Sequence, residues 1–437
     1  MAAWMDSLRT GTWLTRERMR LVAFSILAAA VLGTAYLVAT SDGLNDRFNR
    51  PLGTDFSSFY AAGTLAAGGT AAAAYDHATH FAREKAIFGP GTQFYTFQYP
   101  PLFLLVAGAL ARLPYALALA VWLGATLALY VFATRVTLSS CLGLEGSDRA
   151  AGAHAIENGS PRGAPPAQTS PRDVKSEWLL LTLAFPAVFI NMGHGQNGFL
   201  TAGLFGLALA LLERRAVVAG ILFGLLAYKP QFGLMIPLVL LATGQWRAIA
   251  AAGATVIVLV VVTIAAFGAA PWQAFFASLS FTRTVLLEQG DVGWHKIQSV
   301  FSWVRMWGGP VPLAYFVQGA LTIAVAGALV RLWRSNAPYP VKAAALLIGT
   351  LLATPFSLDY DLMLLAPAIA FLAAEGRANG FAPWEKSMLA MLWTVPLLTR
   401  SVAHVALVPL AVPAMLLTFV VLVLRASEPS PLHLRAA

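Results

Sequence analysis

The chain of 437 residues is 58% hydrophobic and only 11% charged, with a mean hydropathy of +0.69, whereas soluble globular domains carry roughly 25% charged residues. That excludes a water-soluble globular fold and points to a polytopic integral membrane protein. The formal net charge of +9 reads as membrane topology and not as nucleic-acid binding, because Lys and Arg mark the cytoplasmic side of membrane proteins.

In chain order, an Arg cluster (Arg9, Arg16, Arg18, Arg20) precedes LVAFSILAAAVLGTAYLVAT, a run longer than the hydrophobic region of a signal peptide and therefore a retained first span. Apolar runs bounded by charge, Pro or Gly predict further spans near 115–135, 177–193, 197–212, 216–229, 231–244, 248–268, 310–330, 341–357, 361–374, 385–400 and 402–424. This is an all-α polytopic transmembrane helical protein with about 12 membrane spans in one domain over residues 1–437. With the N-terminus inside, Arg135, Arg247, Arg331, Arg377 and Arg425 all fall on the inner side, in the sense of the positive-inside bias. Residues 100–113 (PPLFLLVAGALARL) are too short for a crossing and are cut off by Pro114, so they read as re-entrant or interfacial. The alternative is that they cross together with part of 56–74, which gives about fourteen spans.

Three connecting segments are long. The inner one, 143–176, is rich in Gly, Ala, Pro and Ser and reads as a disordered cytoplasmic linker. The outer ones, 41–99 and 269–309, interleave aromatic and ionisable residues with apolar ones (FSSFYAAG, FYTFQYPPL, SFTRTVLLEQGDVGWHKIQSVFSWVR), a composition suited to short interfacial helices that form a folded lid. There is no internal repeat and no central loop between two halves, which weighs against a secondary transporter. A transporter or a lipid-linked sugar flippase stays open as the alternative class.

Ionisable residues at membrane depth are costly and mark function by default, and on this topology they gather on the outer side. With their polar neighbours they are Asp55; His194, Gln196 and Asn197 (NMGHGQNG); Lys229 (YKPQF); His295, Lys296, Gln298, Ser299 and Arg305; Asp359 and Asp361 (FSLDYD); and Arg400 with His404. Plainer readings stand beside these. Gly and Asn around residue 195 suit a helix end and a turn, Lys229 before Pro230 suits snorkelling, and a lone Asp suits a solvated turn. Asp359 and Asp361 either hold a divalent cation through oxygen or complement a helix start, and no metal is assigned. The lone Cys141 permits neither an intrachain disulfide nor a thiolate metal cluster. No phosphate-binding loop, dinucleotide fingerprint, H-E-x-x-H or G-x-S-x-G is present, so a nucleotide-activated substrate has no visible seat.

The stretches GTDFSSFYAAG, FQYPPLFLLVAGALARLP, PAVFINMGHGQNGFLTAGLFGLALALLERR, AGILFGLLAYKPQFGLMIPLVLL, HKIQSVFSWVR and TPFSLDYDLMLLAPA, in this order, make the chain resemble the polyprenol-phosphate-dependent hexosyltransferases of glycosyltransferase family 87, of the GT-C fold. The resemblance implies a multi-pass enzyme of the cell membrane, with its active site on the extracytoplasmic side. It would transfer mannose or another hexose from a polyprenyl-phosphate sugar donor to a hydroxyl of a glycolipid or glycan acceptor, without a cofactor. Asp55 matches the catalytic Asp that such enzymes carry in the first outer loop, and a single carboxylate suffices because phosphate is already a good leaving group. The resemblance favours Lys229, Gln298 and the HKIQS segment as substrate ligands, and Gln196 and Asn197 either bind sugar or phosphate oxygens or are structural. Many relatives have S-W-x-H where this chain has Ser357-Leu358-Asp359-Tyr360-Asp361.

Overall fold

The computed structural model describes residues 2–142 and 171–425. Among these the secondary structure is helical, with isolated bridges but no strand. Five helices are long and apolar enough to cross a bilayer. After a short first helix, α1 (Ala2–Thr10), they are α2 (Arg16–Ala39), α6 (Tyr115–Leu142), α12 (Trp246–Phe267), α15 (Val311–Trp333) and α18 (Glu385–Ala406). At 1.5 Å per residue even the shortest reaches about 33 Å, against a hydrocarbon core of about 30 Å.

The remaining expected spans are shorter helices: α8 (Pro186–His194), α9 (Gly198–Leu211), α10 (Ala216–Leu225), α11 (Met235–Ala242), α16 (Tyr339–Ala353), α17 (Leu365–Asn379) and α19 (Ala411–Arg425). Among the described residues five helices thus have spanning length by themselves and the other expected spans are shorter apolar helices, with Pro, Gly and Asn cutting those runs. The expected span 177–193 is two helices, α7 (Pro171–Leu183) and α8, because Pro186 opens a new helix. α18 continues to Ala406, so the last helix starts at Ala411 and not near 402. Of the expected linker 143–176, residues 171–176 belong to α7, and the rest lies outside the described residues.

The short helices form the centre. α9 buries Phe199, Phe205 and Leu209, α16 is buried on every side from Ala343 to Ala353, and Leu362 to Leu365 are sealed between them. A helix that is apolar all round is stable either inside a bundle or in lipid, and the near-complete burial of these short ones puts them inside. Leu32, Ile257, Val261 and Ile323 on the long helices are more than half exposed, the lipid-facing pattern expected where the solvent is hydrocarbon.

Both long connecting segments are folded. The first holds α3 (Thr54–Ala67), a 3₁₀ turn (Ala71–Tyr75) and α4 (His77–Phe88), and then an extended stretch leading to α5 (Leu102–Leu110). α5 rises only about 13 Å and packs against α3, too short to cross alone. The second holds α13 (Ala270–Phe281), a π-helical turn (Thr282–Glu288) and α14 (Val300–Met306). The segments meet through rings: Tyr75 against Phe275 at 5.8 Å and His77 against Phe281 at 3.8 Å.

Candidate functional site

Asp55 stands in the first turn of α3, which opens from Gly53 in a left-handed conformation (φ 67°). The end of α8 is brought onto it by Gly195. This residue has φ 63°, its carbonyl accepts from Trp122 Nε1 at 3.0 Å, and a Cβ there would lie 2.6 Å from Phe56 Cβ. Only glycine meets both the left-handed turn and the close approach. As a result His194 and Gln196, on either side of the turn, both face Asp55.

The hydrogen bonds around Asp55 have a definite direction. Gln196 Oε1 accepts from the Asn197 backbone N–H at 3.0 Å and from Tyr99 OH at 3.1 Å. A backbone N–H can only donate, so this end of the amide must be the oxygen and the other end its NH₂. Gln196 Nε2 therefore donates to Asp55 Oδ2 at 3.0 Å. On the other oxygen, Thr54 Oγ1 donates to Asp55 Oδ1 at 3.5 Å, and His194 Nδ1 lies 2.9 Å from that hydroxyl and 3.7 Å from Asp55 Oδ1. Burial raises the Asp55 pKa, but His194, the Gln196 donor and the Lys296 charge outweigh it and hold the carboxyl below its usual value. It is an ionised acceptor, 26% exposed, and each carboxylate oxygen keeps lone-pair capacity for a further donor.

Asp359 and Asp361 each meet a cation. Asp359 Oδ2 accepts from Arg400 Nη1 at 3.3 Å, and the same Nη1 lies 3.5 Å from His194 Nε2. Asp361 pairs with Lys229 Nζ at 2.5 Å, both side chains buried, and its second oxygen accepts from the Leu358 N–H at 3.0 Å. Carboxylates committed to Arg, Lys and backbone donors are not grouped with one another, and the described residues contain no cluster of metal-ligand type.

These groups line a cavity of about 660 Å³. One part is polar: Asp55, His194, Gln196, Lys229, Lys296, Asp359 and Asp361. Another is hydrocarbon and aromatic: Phe275, Leu279, Leu286, Leu287 and Phe356, beside the exposed ring of Phe276. Arg283 of the π-helical turn lies on its wall. Lys296 has a lowered pKa, through burial first and the repulsion of Arg400 second, partly offset by Asp55 and Asp359. Tyr95 is pushed up to about 12 by burial and the nearby Asp55, so its hydroxyl is a neutral donor.

Other expected ligands do not line the cavity. Gln298 is a staple: its N–H donates to Ser357 O at 2.6 Å, and its Oε1 accepts from Thr399 Oγ1 at 2.6 Å. It thereby ties the second segment to the Asp359 turn and to α18 beside Arg400. Ser299 caps α14. Arg305 is spent on the carbonyls of Gly309 and Glu288 and on the Trp294 ring. Asn197 is buried at the start of α9. His295 packs on His404 with ring centroids 5.1 Å apart, and burial, Arg400 and Lys296 lower its pKa, so at neutral pH it is an uncharged ring and not a cation. Tyr95 and Tyr99, in the aromatic stretch before Pro100 that suits a sugar site or a lipid groove as well as an ordinary aromatic belt, line the cavity; Thr54 and Tyr228, which the motifs did not single out as ligands, touch or complete the site, and only the place of Thr54 next to Asp55 could have flagged it.

Residues 97–355, more than half of the chain, match the model of glycosyltransferase family 87. With its apolar helices and this cavity, the chain belongs to that family and is a membrane glycosyltransferase, which sets the transporter reading aside. No curated protein and no solved structure matches it. The matched span covers His194, Gln196, Lys229 and Lys296 but stops short of Asp55, Asp359, Asp361 and Arg400.

Proposed function

We propose that the protein transfers a hexosyl group, mannose in the first instance, from a polyprenyl phosphate to a hydroxyl of a glycolipid or glycan acceptor, with inversion and with Asp55 as general base. The observation that carries this reading is the cavity, whose lining brings together an ionised carboxylate, the cation of Lys296 and a set of apolar side chains. Glycosyl transfer needs a donor and an acceptor; a donor on a lipid phosphate suits a cavity lined by Leu279, Leu286 and Leu287 together with Lys296 and Arg283.

In the reaction the acceptor oxygen forms a bond to the anomeric carbon while the bond from that carbon to the phosphate oxygen breaks. The acceptor proton goes to Asp55, and the bonding pair leaves with the phosphate. Lys296 is the cation for the developing charge, with Arg283, itself paired with Glu288 at 3.4 Å, on the lining and Arg400 behind Asp359. Fixed cations in a partly dry site are worth more than in water. Lys229 is neutralised by Asp361 and serves better to shape the buried end lined by Tyr99, Tyr228 and Tyr360, whose rings give a sugar apolar surface to pack on. The site faces the extracytoplasmic side of the cell membrane in this reading.

The test is transfer of radiolabel from synthetic polyprenyl phosphate mannose to a membrane-lipid extract by purified protein. Wild type should make a product, and Asp55→Asn at equal folded yield should lose on the order of 10²–10⁴-fold, the usual worth of a positioned base. Full activity in Asp55→Asn would remove it as the base. Product from other polyprenyl phosphate hexoses but not from mannose would change the sugar and keep the class.

A further inference from the structure

We infer that His194 is a positioning residue: its Nδ1–H holds the Thr54 hydroxyl, which in turn aims Asp55, and the imidazole neither binds the sugar nor relays the proton. This rests on Asp55 being the base.

The directions of the contacts carry the inference. A guanidinium has five donors and no acceptor, so the His194 Nε2 that faces Arg400 Nη1 at 3.5 Å is the acceptor end of the neutral ring. Nδ1 is then the protonated nitrogen. It stays so if Nε2 also gains a proton, a step made easier than usual here because burial and Arg400 lower the His194 pKa but Asp55 and Asp359 outweigh them and raise it. Nδ1 lies 2.9 Å from Thr54 Oγ1 but 3.7 Å from Asp55 Oδ1, so the good hydrogen bond is to the hydroxyl. A hydroxyl that accepts on its oxygen is free to turn its own proton elsewhere, and Asp55 Oδ1 is the acceptor within reach.

With both ring nitrogens occupied, no lone pair of His194 is left to take a proton from a substrate. Arg400, itself bonded to Asp359, backs the ring from behind. Asp55 is thus gripped on Oδ2 by Gln196 and on Oδ1 through Thr54 and His194. The grip matters because a displacement of about 1 Å at a reacting group can cost on the order of 10²-fold in rate.

Asn and Gln separate the two ring nitrogens, since the Asn amide reaches the place of Nδ1 and the Gln amide that of Nε2. In the radiolabel assay, His194→Asn should stay within about 3-fold of wild type, while His194→Gln should lose on the order of 10²-fold in kcat with little change in donor KM. Thr54→Ser should be tolerated and Thr54→Val should fall like His194→Gln. The double variant His194→Gln with Thr54→Val should be no worse than either alone, because the two residues act as one chain.

Equal losses in the Asn and Gln variants, or a rise in donor KM as the main effect, would overturn the inference in favour of proton relay or sugar binding. If Asp55→Asn kept its activity, the reading of Asp55 would fail instead. Independently of turnover, ¹⁵N spectra of protein labelled at its seven histidines, with the His194 signals identified by their loss in His194→Asn, should show a protonated Nδ1 at pH 8. A bare Nδ1 with a protonated Nε2 would refute the proposal even in a preparation with no measurable transfer.

Discussion

Asp55 was legible because a carboxylate among Phe, Ser and Tyr is out of place in a chain with so few charges. Its partners were not all legible, since Thr54 is an ordinary residue type whose role depends on which way its hydroxyl points. Its depressed pKa has a consequence with a definite sign: the ionised form persists below the usual carboxylate value of about 3.9. Transfer should therefore show no loss from this group as pH falls from 8 to 5, measured as kcat/KM. The stabilising contribution of the same contacts is present above the unfolded-state value and is lost only as pH falls through the lower folded-state one. An acid limb near pH 6 that vanished in Asp55→Glu would contradict this. Lys229 makes a separate residue-scale prediction. Lys229→Met leaves the buried Asp361 carboxylate without its cation, which should cost about 3–5 kcal/mol and appear as a lower unfolding midpoint in detergent. Lys229→Met combined with Asp361→Leu should recover much of that loss.

At the scale of elements, the site depends on places where helices break. Pro186 starts α8, Gly195 ends it, and the return into α9 passes Gly198, where a Cβ would stand 2.7 Å from the Tyr360 carbonyl. Gly195→Ala should strain the left-handed turn and push α8 away from Phe56, costing about 1 kcal/mol or more and lowering kcat more than thermal stability suggests, because His194 and Gln196 move with the turn. The GHGQN stretch showed a turn but not its destination. Within the HKIQS segment Lys296 reaches the cavity, whereas the polar side chains after it turn to the protein. Gln298, Ser299 and Arg305 build the second segment, through a backbone pairing of Ile297 with Leu358, a helix cap and carbonyl contacts. A motif does not disclose whether a polar side chain turns to a ligand or to its own backbone, and in a buried setting the backbone competes strongly.

For the molecule as a whole, the arrangement of acids and cations predicts that EDTA leaves transfer unchanged, measured with and without added Mg²⁺, because the carboxylates are already held by Lys, Arg and amide donors. The proposed orientation is tested by a single cysteine at the exposed Phe48, in a Cys141→Ser background. An impermeant maleimide should label it in intact cells, and labelling only after lysis would invert the topology.

The sequence by itself determined the solvent of this protein, its helical class and the family resemblance, because hydrophobic content and the order of motifs are properties of the chain alone. It also brought most of the cavity's charged residues to notice, since charge is rare here. Only the tertiary structure decided how many helices have spanning length, which of the short ones are buried in the centre, and which polar residues reach the cavity. Those outcomes depend on directions and distances between segments more than a hundred residues apart, such as Asp55 with Gln196 and Lys229 with Asp361, where an ångström separates a ligand from a strut.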